Sequence, residues 1–132
     1  MSEPRGRFPA AQRVRKRPEF QQIQGSGRRV STPHFVLLLK ARSPEDTRGA
    51  RLGITVSRKV GNAVVRNRAK RLIREAFRAT RSLWPRDADL VVIVKRPTAD
   101  AKLADVIAEW MARDKAIGRA IRESRKDWQR DR

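Results

Sequence analysis

The residues best suited to chemistry lie between Arg58 and Arg78, a stretch with eight Lys or Arg residues and a single acid, Glu75. An arginine guanidinium donates two parallel hydrogen bonds to phosphate oxygens, so this composition suits a polyanionic ligand. A solvated helix face usually mixes charges of both signs, because like charges four residues apart destabilise a helix by roughly 0.2–0.5 kcal/mol. We therefore favour a nucleic-acid-binding surface here over a merely solvated face.

The composition of the whole chain also indicates a polyanionic partner. Its 132 residues include 33 Lys and Arg against 14 acids, a formal net charge of +19. Nucleic acid is the first candidate partner and an anionic membrane surface the second. The absence of cysteine and the single histidine argue against disulfides, thiol chemistry and a zinc site. Because we find neither an apolar run of ~18 residues nor a signal-peptide pattern, we expect a soluble cytoplasmic protein.

No residue pattern predicts an active site on the protein itself. His34 is the only histidine, which excludes a mechanism with two histidines, and we interpret it as a surface residue. Asp87 and Asp89 lie beside a predicted strand, and we interpret them as solvated turn residues rather than metal ligands. Trp110 falls on an apolar helix face and is predicted to lie in the core, whereas the role of Trp128 stays open.

The cations between Arg58 and Arg78 are expected to lie on and just before one amphipathic helix. Asn62 is a good N-cap for a helix that begins at Ala63. Apolar side chains recur at helical spacing on one side, at Val65, Ala69, Leu72, Ile73 and Ala76. The opposite side carries Asn67, Lys70, Arg71, Arg74, Arg78 and Arg81, with Arg66 and Arg68 at its borders.

The remaining patterns predict a small sheet combined with helices, an α+β sandwich. The expected elements are a short helix ending near Gly25, strands over His34–Ala41 and Arg51–Ser57 paired as an antiparallel hairpin, a strand over Asp89–Pro97 buried on both faces, and one long helix from Asp100 to Ile121. We expect residues 1–16 to be a flexible basic segment, residues 17–122 to form one domain and residues 123–132 to be a charged tail.

Residue chemistry alone leaves the kind of nucleic acid open. The basic helix is not framed by a helix-turn-helix, a zinc finger or a leucine zipper. Its cations suit contacts with the phosphate backbone, which fits a structured RNA at least as well as DNA. A structural RNA-binding protein of the ribosomal type and an architectural DNA-binding protein are therefore both alternatives.

The run KVGNAVVRNRAKRLIREAF, residues 59–77, closely resembles the signature of the protein subunit of bacterial ribonuclease P. The matching positions are Lys59, Gly61, Asn62, Ala63, Val64, Arg66, Asn67, Arg68, Lys70, Arg71, Arg74 and Glu75. Further resemblances lie in RPEFQQI, HFVLLL, RLGITVSRK and DLVVIVKRP, so that together they cover about residues 17–121. This resemblance favours ribonuclease P over both alternatives.

The resemblance implies a fold and a function. The fold would be a small two-layer α+β sandwich of a four-stranded sheet with three helices, similar to a domain of a ribosomal protein. The holoenzyme would be an endoribonuclease that removes the 5′ leader from precursor tRNA. The RNA subunit would be the catalyst, with Mg²⁺ bound mainly by that RNA and the substrate. The protein would bind the RNA subunit and the leader, without an active site of its own and without a membrane or DNA partner.

Residue chemistry and the resemblance together predict an RNA-binding surface, and the resemblance also implies a leader cleft. The RNA-binding surface comprises Arg58, Lys59, Asn62, Arg66, Asn67, Arg68, Lys70, Arg71 and Arg74. The leader cleft comprises Phe20, Gln24, Val36 and Leu38. Family members often carry more aromatic residues in this cleft, whereas this chain has no tyrosine. Because stacking contributes roughly 1–3 kcal/mol per base, we expect leader binding here to depend more on charge. Phe35 could partly substitute, although core packing is its favoured interpretation.

Overall fold

A computed structural model describes residues 13–14, 17–46, 48–95 and 101–130. It shows an α+β sandwich built on one four-stranded sheet, which confirms the expected fold class. The strands are β1 (Arg28–Ser31), β2 (Phe35–Ala41), β3 (Arg51–Thr55) and β4 (Ala88–Val94). The helices are α1 (Arg17–Ser26), α2 (Ala63–Ala79), α3 (Leu103–Met111) and α4 (Asp114–Arg130). Residues 1–12, which include most of the predicted flexible segment, lie outside the described residues.

The strand order in the sheet is β1-β2-β4-β3. β4 pairs antiparallel with β2, with Leu37 opposite Val92, and parallel with β3, with Leu52 opposite Leu90. The predicted antiparallel hairpin between the strands that became β2 and β3 is therefore wrong, because β4 lies between them. β4 takes the central place because its apolar run can be buried on both faces. The expected strand had its end at Pro97, but β4 ends at Val94, and residues 96–100 lie outside the described residues.

Alternate residues of the strands point to two different cores. On one face, Phe35, Leu37 and Leu39 of β2 pack beneath α2, α3 and α4. Trp110 of α3 lies at the centre of this larger core, 0% exposed, with its ring edge-on to Phe35 at a centroid distance of 5.9 Å. Trp110 is thus a core residue, as its place on an apolar helix face predicts.

Among the described residues, α1 and the short segment 13–14 cover the other face of the sheet. A smaller core there consists of Val14, Ile23, Val36, Leu38 and Val91, with Phe20 and Ile93 packed at its edge and only partly buried. The sheet is thus covered unevenly, and the larger core lies on the side of α2, α3 and α4.

The predicted long C-terminal helix is in fact two helices, so the fold has four helices rather than three. The backbone N–H of Arg113 donates to the carbonyl of Trp110 at 2.9 Å, a tight turn that ends α3. α4 then runs on through Arg130, so residues 123–130 form helix rather than a separate charged tail. Ser124 is fully buried, and Trp128 Nε1 donates to the carbonyl of Ala41 at 2.6 Å. The last turns of α4 are therefore fixed to the end of β2. None of the helices in the described ranges is both long and apolar enough to span a membrane.

Candidate nucleic-acid interface

The start of α2 is shaped by Gly61 and Asn62. The Asn62 side chain accepts a hydrogen bond from the backbone N–H of Val65 at 3.0 Å, as the predicted N-cap requires. Gly61 has φ of +158°, and a Cβ there would lie 2.8 Å from Cγ1 of Val65. The preceding 3₁₀ turn buries Val60 and leaves Arg58 and Lys59 exposed. The turn and the first residues of α2 thus present cations and backbone on one continuous surface.

The outward side of α2 is cationic, and its inward side is apolar. Ala69, Leu72, Ile73, Ala76 and Phe77 are buried in the larger core. We call the outward side, together with Arg58 and Lys59, the basic face; its further members are Asn62, Arg66, Asn67, Arg68, Lys70, Arg71, Arg74 and Arg78. A depression of about 390 Å³ in this face is lined by Asn67, Lys70, Arg71, Arg74, Glu75 and Arg78. All nine residues of the predicted RNA-binding surface therefore lie on or beside one side of one helix.

Arg74 lies close to two other arginines at the edge of the basic face. Burial and the neighbouring guanidinium groups of Arg13 and Arg78 lower the pKa of Arg74. Among the described residues, no carboxylate forms an ion pair with Arg74. A phosphate placed here would reduce the repulsion among the three side chains, so this part of the face is suited to an anion.

A groove of about 320 Å³ lies beside the basic face, between α1, β3 and α2. Its lining is Arg13, Val14, Phe20, Leu52, Gly53, Ile54, Lys70 and Arg74. The lack of a side chain at Gly53 leaves room for the Phe20 ring, because a Cβ at position 53 would lie 2.8 Å from Cζ of that ring. We call this the Phe20 groove. Lys70 and Arg74 line both the groove and the basic face, so the two surfaces are continuous.

The predicted cleft residues are placed differently from one another. Phe20 lines the groove, and Gln24 is exposed on α1. Val36 and Leu38 are 2% and 7% exposed and belong to the smaller core, so they do not line the groove. Phe35 points into the larger core on the opposite face of the sheet and cannot substitute in the cleft. Sequence reasoning missed Gly53 of β3, although alternation in RLGIT, with Leu52 and Ile54 packed against the larger core, could have placed it on the opposite face.

A buried ionic cluster holds α1 in position above the sheet. Asp89 of β4, 4% exposed, accepts hydrogen bonds from Nη1 of Arg42 at 2.6 Å and from Nε and Nη2 of Arg51 at 2.8 Å each. Arg51 also donates to the Glu19 carboxylate of α1 at 3.1 Å. The bond to Asp89 is the main cause of a raised pKa of Arg51. Asp89 is therefore a structural anchor and not the solvated turn residue that its sequence position suggested.

The other residues considered for catalysis are also engaged in structural contacts. Asp87 accepts two hydrogen bonds from Arg125 at 2.8 Å, which lower its pKa. The His34 ring lies on the surface, 2.8 Å from Glu109 Oε1, and the same carboxylate accepts from the hydroxyl of Thr32 at 2.6 Å. Within the described ranges, no group of three or more His, Cys, Asp or Glu residues is placed to hold a metal ion. A small α+β domain with a continuous cationic surface of this kind is typical of nucleic-acid-binding proteins.

Comparison with known proteins gives the family. The profile of the family described as Ribonuclease P matches residues 8–123. The ribonuclease P protein component of Syntrophus aciditrophicus is 44% identical over 99 residues, which cover 75% of this chain and 81% of the relative. That of Desulfovibrio desulfuricans is 46% identical over 104 residues, covering 77% and 79%. The solved structure of the Staphylococcus aureus RNase P protein superposes with a TM-score of 0.68 at 33% identity, covering 83% of this chain and 97% of that one.

The chain therefore belongs to the ribonuclease P protein family. Its role is that of a protein subunit of ribonuclease P, a tRNA-processing endoribonuclease in which the protein is partnered by an RNA subunit. This agrees with the resemblance carried by the run from Lys59 to Phe77.

Proposed function

We propose that the basic face binds the RNA subunit of ribonuclease P and that the Phe20 groove holds the single-stranded 5′ leader of precursor tRNA. The observation that carries this proposal is the sharing of Lys70 and Arg74 by both surfaces. A leader in the groove would have its phosphates beside these two cations. It would also lie next to the RNA subunit bound on the basic face. The junction of leader and tRNA would then be close to the subunit that we propose cleaves it.

The basic face suits the backbone of a folded RNA. Its arginines are carried on a helix whose inner side is buried, so their positions are fixed relative to the sheet. Guanidinium–phosphate contacts fix the orientation of an RNA without reading its sequence. Recognition by shape and backbone is the usual mode for structured RNA. We therefore assign the basic face to orientation and attachment rather than to sequence readout.

The groove suits a flexible single strand of unspecified sequence. The partly buried Phe20 ring offers one surface for a base, and stacking of this kind is tolerant of base identity. Among the described residues that line the groove, Phe20 is the only aromatic one, whereas Arg13, Lys70 and Arg74 are cationic. The leader would accordingly be held more by charge than by stacking.

We assign the hydrolytic step to the RNA subunit, with Mg²⁺ bound by that RNA and by the substrate. Mg²⁺ prefers phosphate and other oxygen ligands, which an RNA supplies in quantity. Near the functional surfaces, the carboxylates of Glu19 and Asp89 are already held by arginines, and Glu75 lies among the cations of the basic face, which supports this division of labour. Precursor tRNA is then the substrate, and we expect neither DNA nor a membrane as a partner.

The two assignments can be tested by variants that damage one surface at a time. Replacing Arg68 and Arg71 with glutamine removes two cations from the basic face and leaves the lining of the groove intact. We expect affinity for the RNA subunit to fall at least tenfold, because charge-assisted hydrogen bonds are worth roughly 1.5–3 kcal/mol each. Phe20→Ala should leave assembly unchanged and weaken binding of precursor tRNA by the assembled enzyme, while mature tRNA, which lacks the leader, is bound as before.

A double variant, Arg29→Gln with Lys95→Gln, is the matched control because both residues are exposed and lie off the basic face. It removes the same two charges and should bind the RNA subunit almost as the parent does. Thermal melts of all variants exclude misfolding. Equal losses in the control and in the Arg68 and Arg71 pair would mean that net charge, not the basic face, determines assembly.

A further inference from the structure

A second cationic surface lies on α4, far from the basic face in sequence. Four exposed cations recur at i, i+4, i+7 and i+11, on the side of the helix opposite its buried residues. These are Lys115, Arg119, Arg122 and Lys126. With a rise of about 1.5 Å per residue they form a straight row about 16 Å long. We call it the α4 row.

The row differs from Arg125 and Asp127 of the same helix in its lack of ion-pair partners. Arg125 forms its ion pair with Asp87, and Asp127 is paired with Arg28, both at 2.8 Å. Within the described part of the chain, none of the four row residues forms a salt bridge, although Glu123 is exposed on the same helix. Like charges at these spacings destabilise a helix slightly. The α4 row therefore carries an electrostatic cost that an anionic partner would remove.

The position of α4 indicates which partner can reach the row. α4 packs on β1 and β2 and α2 packs on β3, so the two helices cover opposite ends of the same sheet face. Their outward sides thus point away from the sheet in the same general direction. The Phe20 groove lies at the β3 end, with α1 on the other face. A short leader held in that groove would not reach α4, whereas a large folded RNA bound to α2 could extend across to it.

We propose that the α4 row is a second phosphate-binding surface for the RNA subunit, separate from the basic face of α2. This inference rests on the proposed function in one respect, namely that the RNA subunit binds on the α2 side. The rigid attachment of α4 would make the two surfaces act together. Its last turns are fixed by the hydrogen bond from Trp128 to Ala41 and by the ion pair of Asp127 with Arg28. Contacts at both ends of the sheet would fix the orientation of the protein on the RNA better than one helix alone.

The test is the salt dependence of binding to the purified RNA subunit, measured for Arg119→Gln with Arg122→Gln. We expect affinity at moderate salt to fall roughly tenfold, since each lost phosphate contact is worth a few-fold. The slope of log affinity against log salt should decrease by roughly 1.5, because about 0.7–0.9 counterions are released per neutralised phosphate. The Arg29 and Lys95 control pair should keep the slope of the parent. Because the row is exposed, the melting temperature should not fall.

Two results would overturn the inference. One is a slope equal to that of the control pair, which would mean that the row is only solvated. The other is unchanged assembly with weakened binding of precursor tRNA by the pre-assembled enzyme, which would assign the row to the substrate. The Arg68 and Arg71 pair, measured in the same series, tests the proposed function separately. If the Arg68 and Arg71 pair binds like the parent, the proposed function of the basic face fails; if only the α4 pair binds like the parent, the proposed function stands and this inference fails.

Discussion

The two faces of the sheet are built on different physical principles. The face beneath α2, α3 and α4 holds a large apolar core in which Trp84 and Trp110 meet edge-on at 5.9 Å. The face beneath α1 has a small core and depends in addition on the ionic cluster around Asp89. Dense apolar packing leaves no space between elements, whereas a helix held partly by polar contacts can stand beside an open groove. We therefore expect stability to reside mainly on one face and assign the proposed leader binding to the other.

The largest expected loss of stability comes from truncating a side chain at the centre of the larger core. Trp110→Ala should lower the free energy of unfolding by about 3–5 kcal/mol, because it leaves a large cavity at the centre of the core. Chemical denaturation measures the loss, and Met111→Ala is a control on the same helix because Met111 is 41% exposed. A loss below about 1 kcal/mol for Trp110→Ala would contradict the assignment of stability to this face.

The next largest loss of stability is expected from removing the Asp89 carboxylate, which helps to hold α1 above the sheet. Asp89→Asn removes the buried carboxylate that Arg42 and Arg51 share and leaves them only the more exposed Asp46 and Glu19, and we expect a loss of about 3 kcal/mol. Asp46→Asn, which affects a more exposed carboxylate that also pairs with Arg42, should cost less than about 1 kcal/mol. Hydrogen exchange of the α1 amides should rise more in the Asp89 variant than that of α2 or α4. Uniform loss of protection over all helices would mean that the cluster supports the whole fold rather than α1.

A smaller loss of stability should follow from adding a methyl group to the groove, a change that removes no existing contact. Gly53→Ala introduces a Cβ within 2.9 Å of two atoms of the Phe20 ring, so the ring must shift. Overpacking of this kind costs about 1–3 kcal/mol, and the partly open site places it near the lower end. Binding of precursor tRNA by the assembled enzyme should weaken, with mature tRNA unaffected. Gly25→Ala is the control, because a Cβ there meets no atom within 4 Å. Equal precursor binding by both variants would exclude the groove as the leader site.

The smallest expected effect is the pH-dependent stabilisation of the larger-core face by the ion pair between Asp87 and Arg125 of α4. Because the hydrogen bonds from Arg125 lower the pKa of Asp87, this carboxylate stabilises the folded state at pH values above its unfolded pKa of about 3.9. The contribution should disappear as the pH falls below that value and the group is protonated in both states. Arg125 is partly exposed, so we expect less than about 1 kcal/mol. The difference in stability between the parent and Asp87→Asn, measured from pH 7 to pH 2, should therefore shrink on acidification. A difference that is independent of pH would exclude this mechanism.

The sequence predicted α2 most accurately because every local signal agreed there. The Asn62 cap, the apolar periodicity and the cationic side all indicate the same helix, and it begins at Ala63 as expected. The pairing of β3 could not be predicted in this way, since alternation indicates a strand but not its neighbour. β1 was missed because a four-residue edge strand with one buried apolar residue, Val30, has no periodic pattern to detect.

The errors in the C-terminal region and at Asp89 share one cause, which is contact between residues far apart in the chain. The break between α3 and α4 has no Gly or Pro to mark it, and the apolar period continues almost unbroken across it. Ser124 and Trp128 look like tail residues until β2 is placed beneath them. Asp89 looks like a turn residue until Arg42 and Arg51 are brought to it. Phe20 could be predicted as a site residue only through the family resemblance, because its partner Gly53 lies on an element whose place in the sheet was unknown.

The position of β4 in the middle of the sheet has a consequence for folding during synthesis. β4 is the last strand to leave the ribosome, yet it separates β2 from β3. Until residue 94 has emerged, the sheet can grow no further than the β1–β2 hairpin, and the apolar edge of β2 stays unpaired. Such an edge is a template for association with other chains. Mutual repulsion among nascent chains of high positive charge would oppose that association during the interval.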